Sequence, residues 1–211
     1  MTEFIIFKEL TDKVGMMVAI LILLFSFDLW SLPLREGDIL LQPLDCKLCT
    51  LIESEEGGPF SHLGLLVKPH KEWMVLEAHG KVKLTPLSQF LKKTERGGQV
   101  LVRRLKEKID LSFKDYSFYL DKEYDPEFLW DNVDENGVEK YYCSELVTKV
   151  LDPLLQKPLM TKPMHFFELG WLEYFNGAPP IGEKGNSPMD FYRDDRFWTM
   201  GTFEKGLWIF L

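Results

Sequence analysis

Apolar positions along this chain change period several times, and each change marks an element. Gly37-Asp38 leads into Ile39-Leu40-Leu41-Gln42, a short run with the look of a buried strand. Ser61 to Val67 and Trp73 to Ala78 are two β-rich runs joined by a turn around Pro69, which predicts a hairpin. Asp45 is placed to cap a short helix carrying Cys46, Cys49 and Ile52, and Thr85-Pro86 to open another with Leu87, Phe90 and Leu91 on one face. Gln99 to Leu105 alternates as a strand, and Ser112 begins a helix that turns Phe113, Tyr116 and Leu120 inward. Residues 131–140 are charged and loop-like, residues 164–175 have helical spacing, 179–188 form a Gly/Pro-rich loop, and 207–211 a closing strand.

The clearest period belongs to the helix after Tyr142. Cys143, Leu146, Val147, Val150 and Leu151 recur at i, i+3, i+4, i+7 and i+8. Ser144, Glu145, Thr148 and Lys149 take the other face, and Asp152-Pro153 ends the helix. Strands and helices mix without strict βαβ alternation, which predicts an α+β domain over residues 32–211. No internal repeat or low-complexity linker divides it.

The first thirty residues follow a different pattern. Residues 14–27, VGMMVAILILLFSF, form an uncharged run of fourteen, below the roughly 18–20 that cross a bilayer. An export signal or an uncleaved N-terminal membrane anchor over residues 1–31 is the expectation, with a periplasmic or cell-surface location. The n-region lacks a positive balance and no small-x-small cleavage site follows, so a buried helix of the domain is the alternative.

Composition narrows the function. The 211 residues include 25 Lys and Arg against 33 Asp and Glu, a net charge of −8. An acidic chain without a basic stripe has little with which to neutralise phosphates, which excludes nucleic acid as an expected partner. Three cysteines are too few for a disulfide-stapled miniature fold. Cys46 and Cys49 form a CxxC without a second ligand pair, so structural thiols or a disulfide are expected rather than zinc or redox work. Residues 132–143 mimic a calcium loop but lack its first Asp and last Glu, so no metal or cofactor is expected.

Cys143 carries the candidate chemistry. A thiol in the first turn of a helix faces the positive end of the helix dipole, which favours its thiolate. The alternative is a small buried hydrophobe. A nucleophile needs a base and the base an orienting group. Four histidines are available. His62 starts a strand, and on the neighbouring strand Glu77 and His79 share one face, either able to hold the His62 ring. His70 follows a turn proline and is expected in solvent. His165 lies among aromatic residues, where a satisfied core histidine is expected. Phe166, Phe167, Trp171, Tyr174 and Phe175 form a stripe that is core packing or the wall of an acyl site.

The segments GDILLQ (37–42), FSHLGLLV (60–67), VLEAHGKVKLTPL (75–87), YDPEFLW (124–130), YYCSELV (141–147) and IGEKGNSPMD (181–190) resemble the YiiX/YebB-like branch of the permuted papain-like, NlpC-type cysteine hydrolases. In that branch the histidine strand precedes the cysteine helix, as His62 precedes Cys143 here. The resemblance implies an antiparallel sheet packed on the cysteine helix, with Cys143 as nucleophile, His62 as base and Glu77 as orienting residue. His79 competes for the third role, and Tyr142 is a site-lining residue. It implies hydrolysis of peptide, cell-wall peptide or acyl-lipid bonds through a thioester. A thiol acyltransferase or lipid esterase similar to the lecithin:retinol acyltransferase group, or an inactive binding module, are the alternatives.

Overall fold

The computed structural model describes residues 34–204 and 206–210. The expected leader and residue 32 onward to Pro33 lie outside the described residues. Among those described, no helix is long and apolar enough to cross a membrane.

The apolar runs between residues 39 and 105 become strands β1 (Ile39–Gln42), β2 (His62–Val67), β3 (Met74–His79), β4 (Lys81–Pro86) and β5 (Val100–Leu105). Two short strands, β6 (Glu123–Tyr124) and β7 (Lys140–Tyr141), and two late ones, β10 (Phe197–Glu204) and β11 (Leu207–Phe210), extend the sheet. Nine strands stand in the order β11-β10-β5-β1-β2-β3-β4-β6-β7, antiparallel except for the β6–β7 pair. The hairpin around Pro69 is present, with Leu65 opposite Leu76. Strands β8 (Lys162–Pro163) and β9 (Lys184–Gly185) form a separate ribbon.

Helix α1 (Lys47–Glu56) follows β1, α2 (Leu87–Lys92) follows β4, and α3 (Phe113–Ser117) follows β5. Helix α4 (Cys143–Leu151) packs on β2 and β3, and α5 (Leu169–Tyr174) and α6 (Pro188–Arg193) come later. Leu146, Val147 and Val150 of α4 share one core with Leu63, Leu65, Leu76 and Ala78. Each such aliphatic side chain contributes about 1.5–3 kcal/mol on burial. This joins the cysteine helix to the histidine strand, the α+β arrangement expected.

Local differences have local causes. Cys46, not Asp45, caps α1, because its Sγ accepts from the Cys49 N–H at 3.0 Å. Pro86 ends β4 instead of starting the helix, because Gly80 at φ +73° turns β3 back into a second hairpin. Phe113 is exposed while Tyr116 alone of its helix is fully inward. Helix α5 is confined to residues 169–174, since Phe166 at φ +55° breaks the helical path before it. In the Gly/Pro-rich loop, Pro188 is the first residue of α6, capped by Ser187 and Asp190.

The largest correction concerns α4. Ser144, Glu145 and Thr148 are buried, not outward. Two segments cover that face and pair its polar groups, Glu145 Oε2 excepted among the described residues. Ser144 Oγ donates to the Asn186 carbonyl at 2.9 Å, and Glu145 accepts from the Asp131 N–H at 2.9 Å.

Candidate active site

Register brings the polar groups together. His62 opens β2 opposite Gln42 of β1, and Glu77 lies near the end of antiparallel β3. His62 Nε2 and Glu77 Oε2 are 2.9 Å apart, and both side chains are buried. The other Glu77 oxygen accepts from Thr85 Oγ1 and from the Lys93 ammonium. With Nε2 engaged by Glu77, the remaining ring nitrogen, Nδ1, is the one left for the Cys143 thiol, whose side chain and charge act on the ring.

Charge follows from these contacts. Burial alone would lower the His62 pKa, but hydrogen bonds and charge from Cys143 and Glu77 outweigh it and hold the ring at about 9. Burial alone would raise Glu77, yet His62, Lys93 and Thr85 bring it down to about 2. At neutral pH the pair is an imidazolium against a carboxylate. His79 is placed differently. Its ring meets that of His62 edge-on at 5.7 Å, and burial followed by the charges of His62 and Lys93 lowers its pKa. Glu77, and not His79, is the group hydrogen-bonded to the His62 ring. Phe90 packs against the His62 ring at 5.8 Å, in space left by Gly64, where a Cβ would come within 2.3 Å of Val75 Cγ1 and 3.3 Å of Phe90.

Cys143 is the first residue of α4, so its N–H has no acceptor within the helix. It is buried and is the free thiol of the three cysteines, Cys46 and Cys49 being joined in a disulfide. On its far side lies a narrow cleft with about 30 Å³ of interior space, lined by Phe128, Tyr142, Met164, Phe166, Trp171 and Asn186 among others. His62 and Glu77 do not line it; Cys143 alone of the three does. Tyr142 lines the cleft too, its hydroxyl accepting from the Asn186 N–H at 3.4 Å. Phe128 and Phe166 hold φ of +53° and +55°, a costly conformation for bulky residues, and both wall this cleft. Of the aromatic stripe, Phe166 and Trp171 are buried, whereas Phe167 is 69% exposed. His165 is exposed at the rim, not a core residue, and His70 is in solvent as expected.

Thr85, Lys93, Gln42 and Asn186 were not singled out by sequence. Thr85 would have followed from the β3–β4 hairpin, which places it across from Val75, two residues before Glu77. Lys93 lies just beyond α2, and no sequence period points to it. Gln42 Oε1 accepts from Thr94 Oγ1 at 3.0 Å, and its buried Nε2 has no partner among the described residues.

A free buried thiol at a helix N-terminus, and before it in the chain a histidine bonded to a carboxylate on an antiparallel sheet, have the arrangement of a papain-like fold in permuted order. Residues 33–200 match the family of permuted papain-like amidase enzymes, YaeF/YiiX, C92, and the chain belongs to that family. The uncharacterized protein YiiX of Escherichia coli K12 is 34% identical over 136 residues, which are 62% of this chain and 64% of that protein. The chain therefore aligns with somewhat under two thirds of this relative's length. A crystal structure titled metalloprotein yiiX from Escherichia coli O157:H7 superposes with a TM-score of 0.71 at 26% identity, over 81% of this chain and 98% of that one. The donors here do not fit a resident metal. Among the described residues no group of three or more His, Cys, Asp or Glu side chains is arranged to hold an ion, and the CxxC sulfurs are bonded to each other.

Proposed function

We propose that this chain is a cysteine amidase in which Cys143 attacks, His62 transfers protons and Glu77 orients the ring. The observation that carries the reading is the buried His62–Glu77 pair at 2.9 Å acting on Cys143, which alone of the three opens on the cleft. The Cys143 thiolate adds to the substrate carbonyl carbon. The oxyanion that forms meets the free Cys143 N–H, and Gln42 Nε2 is the second donor on the flank of His62. The His62 imidazolium gives its proton to the leaving nitrogen as the C–N bond breaks, leaving a thioester on Cys143. Water then attacks the thioester, giving a proton to His62, and the C–S bond breaks to release the acid and restore the thiolate. Glu77, held by Thr85 and Lys93, keeps the ring aligned in both halves.

The candidate substrates are amides of peptides, cell-wall peptides or acyl lipids. The test is intact-mass detection of an acyl adduct on Cys143 after mixing with activated acyl donors. An adduct in the wild type, absent in Cys143→Ala, supports the reading. No adduct with any donor overturns it in favour of a binding module. An exported or membrane-anchored location rests on residues 14–27; a mature N-terminus near residue 32 by N-terminal sequencing would establish cleavage and refute the anchor.

A further inference from the structure

The cleft beside Cys143 is apolar in most of its lining, yet two of its residues end in polar atoms that the fold leaves open. Trp171 is 1% exposed and its Nε1–H has no acceptor among the described residues. Asn186 is 2% exposed and its Oδ1 has no donor. Its amide orientation is fixed by its neighbours. Thr148 Oγ1 donates to the Ser144 carbonyl at 2.9 Å, so it accepts from the Asn186 amide, and the 2.7 Å contact must be to Nδ2. The open end of Asn186 is therefore an acceptor and that of Trp171 a donor.

We propose that Trp171 and Asn186 read a secondary amide in the acyl half of the substrate, so that the preferred donor is an N-acylaminoacyl or peptidyl group and not a plain hydrocarbon acyl chain. This inference rests on the amidase reading and names its substrate class. An amide offers one carbonyl for Trp171 Nε1–H and one N–H for Asn186 Oδ1. A hydrocarbon chain would fill the apolar walls but leave both buried polar atoms unpaired, which forgoes roughly 5- to 100-fold for each relative to a group that pairs them. Phe128 and Phe166, held at positive φ with their rings 6.1 Å apart, wall the cleft without supplying a hydrogen-bonding atom. Trp171 and Asn186 are specificity-determining residues; the chemistry remains with Cys143 and His62.

The test compares two p-nitrophenyl esters, of N-acetylalanine and of 2-methylpentanoic acid, which differ by the amide. Acylation of Cys143 in the full chain is followed by nitrophenol release and intact mass, each rate divided by that probe's rate with free cysteine. The expected result is a preference of about 10²-fold for the N-acetylalanyl ester. Trp171→Phe removes the indole donor and should reduce the preference about tenfold. Thermal melting reports whether the variant is folded. If it does not fold, Asn186→Asp, whose carboxylate keeps an acceptor, should retain the preference for the N-acetylalanyl ester, and loss of the preference there would overturn the reading. Equal normalised rates, or preference for the hydrocarbon ester with Cys143 still acylated, overturn the amide reading and leave the amidase intact. Absence of any Cys143 adduct from both esters overturns the amidase reading and this inference with it.

Discussion

Two buried regions meet at Cys143 and treat hydrogen bonding in opposite ways. On the sheet side, His62 Nε2 and both Glu77 oxygens are engaged, although Gln42 Nε2 beside them has no partner among the described residues, and Glu77 has no exposure at all. On the cleft side, Trp171 and Asn186 are almost as deeply buried, yet each leaves one polar atom open. A saturated network fixes a geometry, because every displacement breaks a bond. Open polar atoms in an apolar wall are costly until something binds. The sheet side is built to hold a ring still, and the cleft side to receive a ligand.

The comparison breaks most visibly at the atom shared by both regions. Cys143→Ala should lower amide hydrolysis by on the order of 10⁴- to 10⁶-fold in a steady-state assay while the cleft still binds substrate. Within the saturated side, Glu77→Gln keeps the shape but loses the charge. It should cost on the order of 10²- to 10⁴-fold in kcat, with KM little changed. A second saturated pair tests whether engagement of both oxygens also holds the sheet. Asp38 accepts from Arg104 Nε at 2.6 Å and Nη2 at 2.7 Å, both residues being buried. Asp38→Ala removes both of these bonds from the buried guanidinium and should destabilise the fold by about 3 kcal/mol in denaturant titration.

The pH dependence sharpens the same contrast. The His62 pKa is raised from 6.5 to about 9, so its contribution to stability is complete below 6.5 and is lost as the pH rises through 9. That of Glu77 is lowered from 4.5 to about 2, so its contribution is complete above 4.5 and is lost as the pH falls through 2. The gap in Tm between wild type and His62→Ala should therefore be widest near pH 6 and narrow towards pH 9.5. The smallest effect is expected for His79→Ala, within about threefold in kcat/KM, because its ring only borders that of His62. A larger loss there would make His79 the orienting residue.

How far these regions were legible in the sequence follows from their physics. Strict periods carried β1, the β2–β3 hairpin and α4, and with them His62, Glu77 and Cys143 on adjoining elements. Lys93 was invisible because it reaches Glu77 from just beyond a short helix, where no period applies. β4 and β10 escaped notice because each is polar in part, and Arg103 and Arg104 in β5 are buried through long-range partners that spacing does not encode. The cleft was the least legible part. Its walls depend on Phe128 and Phe166 at positive φ, and on Asn186 returning from a loop to cover α4. Those two contacts join residues 42 and 38 positions apart.

The most direct test of the Cys143–His62 pair is the rate of Cys143 alkylation by iodoacetamide against pH, without reductant, so that the Cys46–Cys49 disulfide stays closed. A thiolate–imidazolium pair predicts labelling at pH 6 well above that of glutathione, a further change as His62 loses its proton near pH 9, and collapse of the low-pH rate in His62→Ala. A wild-type rate that follows an ordinary thiol of pKa about 8.5, unchanged by His62→Ala, would contradict the pair and the mechanism built on it.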